Sequence, residues 1–466
     1  MKKAIYIFIF FISQYFFGQQ SNQLWKGYFS YNEIVDVESS TNAVFASTQN
    51  ALFSQVVASS NLNVYNSITG LKPDVITTIH HSDAFNKTFV GNNNGLILIQ
   101  NADGSVTTKV DVIEEVPVPP NKKKINDFFE FNGRLYIATD YGISVINLAT
   151  SEFISTYFIG TSGEETEVLQ TTVFNNEIYA VTRSFGIRKA NLNNPNLFDF
   201  SQWQTFDTGF WFGIVTFNNQ LIATNANART YRFNGGTAFE VLNHNQAGLK
   251  LKTNGTELIV TTQNNVYVLN QSFSILAHIT QIPNFTVRFT SASVVGGIIY
   301  IGTEKEGLFS TSLSNPTVFT AMSPNGPLQN STFRLKKAPN KIWVVHGDYS
   351  QSFNPYPLDE LGISTFTTDQ GWSVIPYSEL NGAKSLSDIA INPSNQNQVY
   401  VTSYFSGLLK MFGNTIELLN NTNTGANGLE SLVLVGNSTY VDIRINSLVF
   451  YRDGYLWVIN CFVIRA

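Results

Sequence analysis

A chain of 466 residues is too long for one ordinary hydrophobic core, so it divides into more than one body. Aromatic content is 14 % and charged content only 13 %, about half the quarter usual for soluble domains, with a formal net charge of −5. That balance argues against a nucleic-acid partner and for many side chains buried between sheets, under a surface of Asn, Ser, Thr and Gln.

Met1-Lys2-Lys3 is a basic opening, and Ala4 to Phe17 an apolar run of about fourteen residues that ends at Gly18-Gln19-Gln20-Ser21. It is short for a membrane span and suits a secretory signal over residues 1–18. Losing Lys2 and Lys3 with it takes the charge from −5 to −7. No cysteine stands beside the cleavage point, so lipoprotein processing is not indicated, and no later stretch is long and apolar enough to cross a membrane. The expected location is outside the cytoplasm, in the periplasm or at the outer-membrane cell surface. Cys461, the only cysteine, has no partner for an internal disulfide.

From Val44 onward one phrase returns: Val44-Phe45-Ala46-Ser47-Thr48, then Thr88 to Asn92, Leu135 to Thr139, Ile178 to Thr182 and Leu221 to Thr224. It continues as Leu258 to Thr262, Ile299 to Thr303, Ile342 to His346, Val399 to Ser403 and Leu456 to Asn460. Aligned on Thr48, Asn92, Thr139, Thr182, Thr224, Thr262, Thr303, His346, Ser403 and Asn460, the steps are 44, 47, 43, 42, 38, 41, 43, 57 and 57. Such a period in β-type residues predicts propeller blades of four strands each. The phrase is continuously apolar, as suits a strand buried on both faces. Small residues (Ala138, Ala223, Gly302) fall where blades crowd, and the closing Thr is placed to bond the next turn. Asn132-Gly133, Asn175-Asn176, Asn218-Asn219, Gly296-Gly297 and Asp453-Gly454 are hairpin signals just before the phrase.

The predicted architecture is all-β: a seven-bladed β-propeller over residues 24–325, then an incomplete second β-propeller over 326–466. Met322-Ser323-Pro324-Asn325-Gly326-Pro327 is the turn-rich seam. Three copies follow, with insertions near Ser352–Trp372 and Asn420–Glu430, and the chain stops inside a strand, so the sequence reads as cut short.

Chemistry-bearing residues are sparse. Of His80, His81, His244, His278 and His346, the adjacent pair faces opposite sides of a strand and cannot share a metal, and no metal or cofactor is expected. Glu164-Glu165-Thr166-Glu167 and Lys122-Lys123-Lys124 read as solvated loops. Asp36, Asp127, Asp388 and Asp442 recur just before strands of the repeat and point to turn bonding or blade closure. The Ser-x-Asp-x-Gly-x-x-Trp box of sialidase propellers and a Gly-x-Ser-x-Gly elbow are both missing, so no catalytic residue is assigned. Binding is the better expectation for a propeller, whose loops surround a central depression. Trp203, Trp211, Phe212, Trp372 and Tyr404 are candidate rings for stacking on a sugar face, whereas Trp343 and Trp457 belong to the repeat's strand and are expected in the core.

The opening Leu24-Trp25-Lys26-Gly27-Tyr28-Phe29-Ser30-Tyr31-Asn32, with Val44 to Phe53, resembles the start of the PorZ family, surface components of the type IX secretion system of Bacteroidetes. Lys341 to Gly347 and Asp442 to Asn460 also resemble it, the latter carrying the Asp-Gly-x-Leu-Trp pattern of two-component-regulator propellers. The resemblance implies two propellers, a C-terminal β-sandwich and a targeting segment, with secretion-system proteins and anionic lipopolysaccharide glycan as partners. Two other readings stand beside it: the sensor ectodomain of a hybrid two-component regulator, and a polysaccharide-active propeller enzyme.

Overall fold

The structure is a computed structural model that describes residues 26–461 apart from 60, 73, 348, 433, 435 and 438. The expected signal segment, Leu24 and Trp25 lie outside the described residues.

The described chain is all-β. Nine four-stranded antiparallel sheets and one two-stranded sheet form among these residues, each from strands consecutive in sequence. Seven lie between Ile34 and Ala321, starting with the strands Ile34–Ser39, Ile76–Ser82, Ile125–Phe131, Val168–Phe174, Trp211–Phe217, Gly248–Thr253 and Phe289–Val295. Each of these first strands packs on the first strand of the next sheet, and Phe289–Val295 packs on Ile34–Ser39. The remaining sheets begin at Arg334–Lys337, Leu386–Ile391 and Arg444–Phe450, again packed in succession.

Local chemistry dictates the sheet repeat. Asn132 and Gly133 take φ of 50° and 71°, Asn175 and Asn176 48° and 61°, Asn218 and Asn219 46° and 54°. Two successive positive φ angles are what a tight hairpin with native twist requires, and Asn and Gly tolerate them at little cost. The second hairpin is closed from within: Thr139 Oγ1 donates to the Gly142 carbonyl at 3.0 Å, and Thr182 and Thr303 repeat this with Gly186 and Gly307 at 2.9 and 2.8 Å. At Gly186 (φ 65°) a Cβ would run into the Asp207 carbonyl, so glycine is sterically required.

The core is distributed between sheets. Ala43, Phe45, Leu52, Ile76, Val90 and Leu98 pack the first sheet on the second, and equivalent clusters follow at each later junction. Tyr31, Val37, Phe53, Val295, Tyr300 and Leu308 pack the first sheet on the seventh, across more than 250 residues of sequence. Gly302 lies against Ile34 and Val37 there, and Gly91 against Ile125 and Phe128, so small residues do sit where neighbouring sheets crowd. Trp343 is buried as expected, but Trp457 is 64 % exposed. It lies opposite Val449 in the two-stranded sheet, on a face that no further described strand covers.

Candidate functional site

All seven first strands of residues 34–321 carry a register shift near their start, for example between Ile34 and Asp36, Val168 and Gln170, and Gly248 and Lys250. Such bulges re-aim the side chains that follow. Those side chains are Asp36, Thr78, Asp127, Gln170, Lys250 and Ser291, with Gly213 completing the set. Two residues later stand Glu38, His80, Thr172, Lys252 and Ser293. The second layer, with Asp127 and Gln170 of the first, lines a cavity of about 250 Å³ bordered by the first strand of every one of the seven sheets. Asp127, Gln170 and Leu251 also border an adjoining cavity of about 320 Å³, which opens at Lys124, Glu167, Arg183 and Phe212.

One ion network crosses this space. Lys252 Nζ lies 2.8 Å from Asp36 Oδ1 and 2.9 Å from Glu38 Oε2, and donates to the Val37 carbonyl at 2.7 Å. Glu38 Oε1 is 3.5 Å from His80 Nδ1, and His80 Nε2 is 3.1 Å from Glu130 Oε2. Lys250 reaches Asp36 at 3.8 Å. Asp36 further accepts from Ser291 Oγ at 2.8 Å and Thr78 Oγ1 at 3.0 Å, so one carboxylate ties the first sheet to the seventh, sixth and second. Gln170 does the same with an amide, donating to the Leu251 carbonyl and accepting from the Ile214 N–H.

Protonation follows from this wiring. Burial alone would raise Asp36, yet Lys250 and Lys252 hold it well below the usual carboxylate range; Glu38 and Glu130 are lowered by Lys252 and His80 against the same opposing burial. Burial would lower His80, but bonds to Glu130 and Glu38 raise it to about 9, so it is an imidazolium at neutral pH. Three cations therefore face three carboxylates, and no net charge is left by these six groups. Asp127 is the exception. Burial drives it up to about 7, only partly offset by Lys250 and Lys252, and no described side chain hydrogen-bonds it.

Two of the ionised groups are already committed to their neighbours. Asp36 is too acidic and too fully bonded to serve as a general base for the Thr78 hydroxyl beside it. Both His80 nitrogens are spent on carboxylates, and among the described residues no group of three His, Cys, Asp or Glu is placed to hold a metal ion. Asp127 is left without such a commitment.

The aromatic rings singled out from sequence lie elsewhere, Phe212 apart. Trp203 is buried, its indole N–H donated to the Leu197 carbonyl at 2.9 Å, and Trp211 is buried with its N–H on Asp207 at 2.7 Å. Trp372 is buried between Tyr28 and Phe366, and Tyr404 beneath Tyr349 and Arg444. Phe212 alone of these borders the cavity mouth, under the Arg183 guanidinium. Asp36 and Asp388 do join sheets, Asp388 receiving Ser447 and facing Arg334. Asp442 instead pairs with Arg444 and Tyr440 just ahead of its strand. The lysine run is not a solvated loop: Lys123 is buried with its ammonium on the Ile113 and Glu115 carbonyls, and Lys122 pairs with Glu165 at 2.9 Å. Glu167 likewise clamps Arg183 at 3.0 and 3.2 Å. Sequence reading missed Glu38, His80, Glu130, Lys250 and Lys252; the available signal was that polar residues recur at one position of the repeat's first strand.

Residues 44–204 match the family model described as the N-terminal beta-propeller domain of PorZ of the type IX secretion system. Among solved structures, PorZ of Porphyromonas gingivalis, described as an essential bacterial surface component of the type-IX secretion system, superposes with a TM-score of 0.78. Identity is 16 %, over 94 % of this chain and 57 % of that one. The extracellular domain of a hybrid two component system from B. thetaiotaomicron gives a TM-score of 0.49 at 13 % identity, over 92 % of this chain and 56 % of that one. No curated protein matches. The resemblance to PorZ is thus shown by the family model and by the shared fold, and this chain spans little more than half the length of the PorZ structure.

Proposed function

We propose that this chain is a non-enzymatic component of the type IX secretion system at the cell surface, a propeller that recognises secretion-system proteins or lipopolysaccharide glycan. The observation that carries the reading is the superposition of 94 % of the chain on PorZ, in line with the family match over residues 44–204. In this reading residues 1–18 are a signal peptide, 24–325 a closed seven-bladed propeller and 326–466 part of a second, incomplete one. The packing of each first strand on the next, and of Phe289–Val295 on Ile34–Ser39, supports the closed ring. A cavity whose ions neutralise one another supports recognition over catalysis. Among the described residues no helix is long and apolar enough to cross a membrane, which leaves β-barrel partners open.

The test is genetic and spatial. Deleting the gene in its native host should abolish delivery of type IX cargo to the surface, and restoring it should recover delivery. Biotin reagents that do not cross membranes should label the restored protein on intact cells. Normal cargo delivery in the deletion strain would overturn the reading.

A further inference from the structure

Above the ion network the chamber of about 320 Å³ is still open, and two of its charged groups face it from different sides. Asp127 comes from the third sheet's first strand, Ile125–Phe131, and Lys250 from the sixth sheet's, Gly248–Thr253. Each stands just past its strand's register shift. These strands are not neighbours in the succession of sheets, so the two side chains share only the chamber.

Most other polar side chains around the chamber are engaged. Gln170 donates to the Leu251 carbonyl at 3.1 Å and accepts from the Ile214 N–H at 2.8 Å. Arg183 and Glu167 clamp each other, and Asn126 donates to Asp140 and to the Val168 carbonyl. Lys124, at the mouth, stands in the field of Asp140. Asp127 differs: it has no hydrogen bond and no cation within ion-pair distance among the described residues, and burial holds its carboxyl up at about 7. Lys250 differs too. Its ammonium comes no closer than 3.8 Å to a described carboxylate, that of Asp36, which is too long for a hydrogen bond. Its N–H groups are therefore free to donate.

A carboxyl and an ammonium held apart across one cavity match a molecule that carries both charges. An anion alone would bring its charge up to Asp127, and an amine alone up to Lys250; a zwitterion gives each group its counterpart. Leu169, Phe212 and Leu249 add an apolar wall toward the mouth, with Leu249 48 % exposed. A space of this size admits one small molecule.

We propose that the chamber binds a free α-amino acid with an apolar side chain: its ammonium meets Asp127, its carboxylate meets Lys250, and its side chain packs on Leu169, Phe212 and Leu249. A neutral sugar would need the chamber's side-chain amides, and those of Asn126 and Gln170 are already engaged. This inference is independent of the secretion role.

The test is calorimetric titration of the full chain with phenylalanine and leucine. Beside them stand 3-phenylpropionate, which lacks the ammonium, and phenethylamine, which lacks the carboxylate. Phenylalanine should bind at least about tenfold more tightly than either analogue, the difference expected for one hydrogen-bonded charge. Asp127→Asn should close the gap to 3-phenylpropionate, and Lys250→Met the gap to phenethylamine. No binding of phenylalanine or leucine, an analogue that binds as tightly as phenylalanine, or a variant that keeps its gap would each overturn the proposal. Tighter binding of glucuronate than of either amino acid would do so as well. Should Lys250→Met melt early through its contact with Asp36, Asp127→Asn and the two analogues decide.

Discussion

Lys252 shows how one side chain can hold two sheets of a closed fold together. It leaves the sixth sheet and reaches two carboxylates on the first, passing the seventh. Removing it strips the closest cation from Asp36, 1 % exposed, and from Glu38, leaving them Lys250 at 3.8 Å and His80 at 3.5 Å. Breaking one side of such a buried pair costs about 3–5 kcal/mol, so Lys252→Met should lower the urea midpoint sharply. Pairing it with Asp36→Asn should recover much of the loss, because the stranded charge is then gone. A single mutant as stable as the parent would show that the network adds nothing to closure. The same groups set the pH response. His80 is raised from 6.5 to about 9, so its contribution is complete below pH 6.5 and is lost as pH rises to 9. Asp127 is raised from 3.8 to about 7, so its contribution too is present at low pH and is lost as pH climbs through 7. Asp36, Glu38 and Glu130 are lowered, and their contribution disappears as pH falls below the ordinary carboxylate range. Melting temperature should therefore peak in mildly acidic buffer and fall on both sides. Asp127→Asn should flatten the decline between about pH 4 and 7, and a variant that melts in parallel with the parent across that range refutes the assignment.

At the scale of elements, the hairpins were the readable part. Asn-Gly, Asn-Asn and Gly-Gly pairs, a closing Thr and a following Gly are local rules, satisfied within a few residues of chain, and the structure realises them sheet after sheet. Gly186→Ala tests one of them: a left-handed φ of 65° and a carbonyl in the Cβ position should cost on the order of 2–3 kcal/mol, read as a lower denaturation midpoint. No loss would mean that the turn rearranges freely. The candidate site was much less legible, because its members lie far apart in sequence. Glu38, His80, Glu130 and Lys252 look like ordinary polar residues until each strand's bulge and the sheet order bring them around one cavity. The recurrence of Asp36, Asp127 and Asp388 was visible, but not that only Asp127 would be left without a partner. The tryptophans misled for the converse reason: Trp203 and Trp211 sit in polar surroundings in sequence, yet each has a backbone carbonyl or carboxylate for its N–H and is folded into an inter-sheet core.

Across the whole molecule, the segment just ahead of the first strand joins the earlier sheets to the later ones. Tyr28 packs its ring tilted against Phe366 at 4.9 Å and edge-on to Trp372 at 5.5 Å. Ser30 bonds Asn330 Oδ1 and the Leu328 carbonyl at 2.8 and 2.9 Å, and Asn32 donates to the same carbonyl at 3.0 Å. From its other side, Asn32 accepts from the Gly307 N–H at 2.8 Å, and Tyr31 accepts from Ser323 Oγ at 3.2 Å. The strap is thus fastened to the seventh sheet, to the connection around residues 322–330 and to the eighth sheet. Its two ring contacts and the Ser30 hydroxyl bond are each worth about 1 kcal/mol, so Tyr28→Ala combined with Ser30→Ala removes about 3 kcal/mol from this junction. The sheets on either side keep their own cores, so the effect should be local opening, not global unfolding. Limited proteolysis should then cut within residues 322–330 at least about tenfold faster than in the parent, while cleavage within the first seven sheets stays unchanged. Equal cutting of both proteins at the connection would mean that the eighth sheet is held by contacts other than the strap, and faster cutting everywhere would mean that the strap belongs to the core of the earlier sheets.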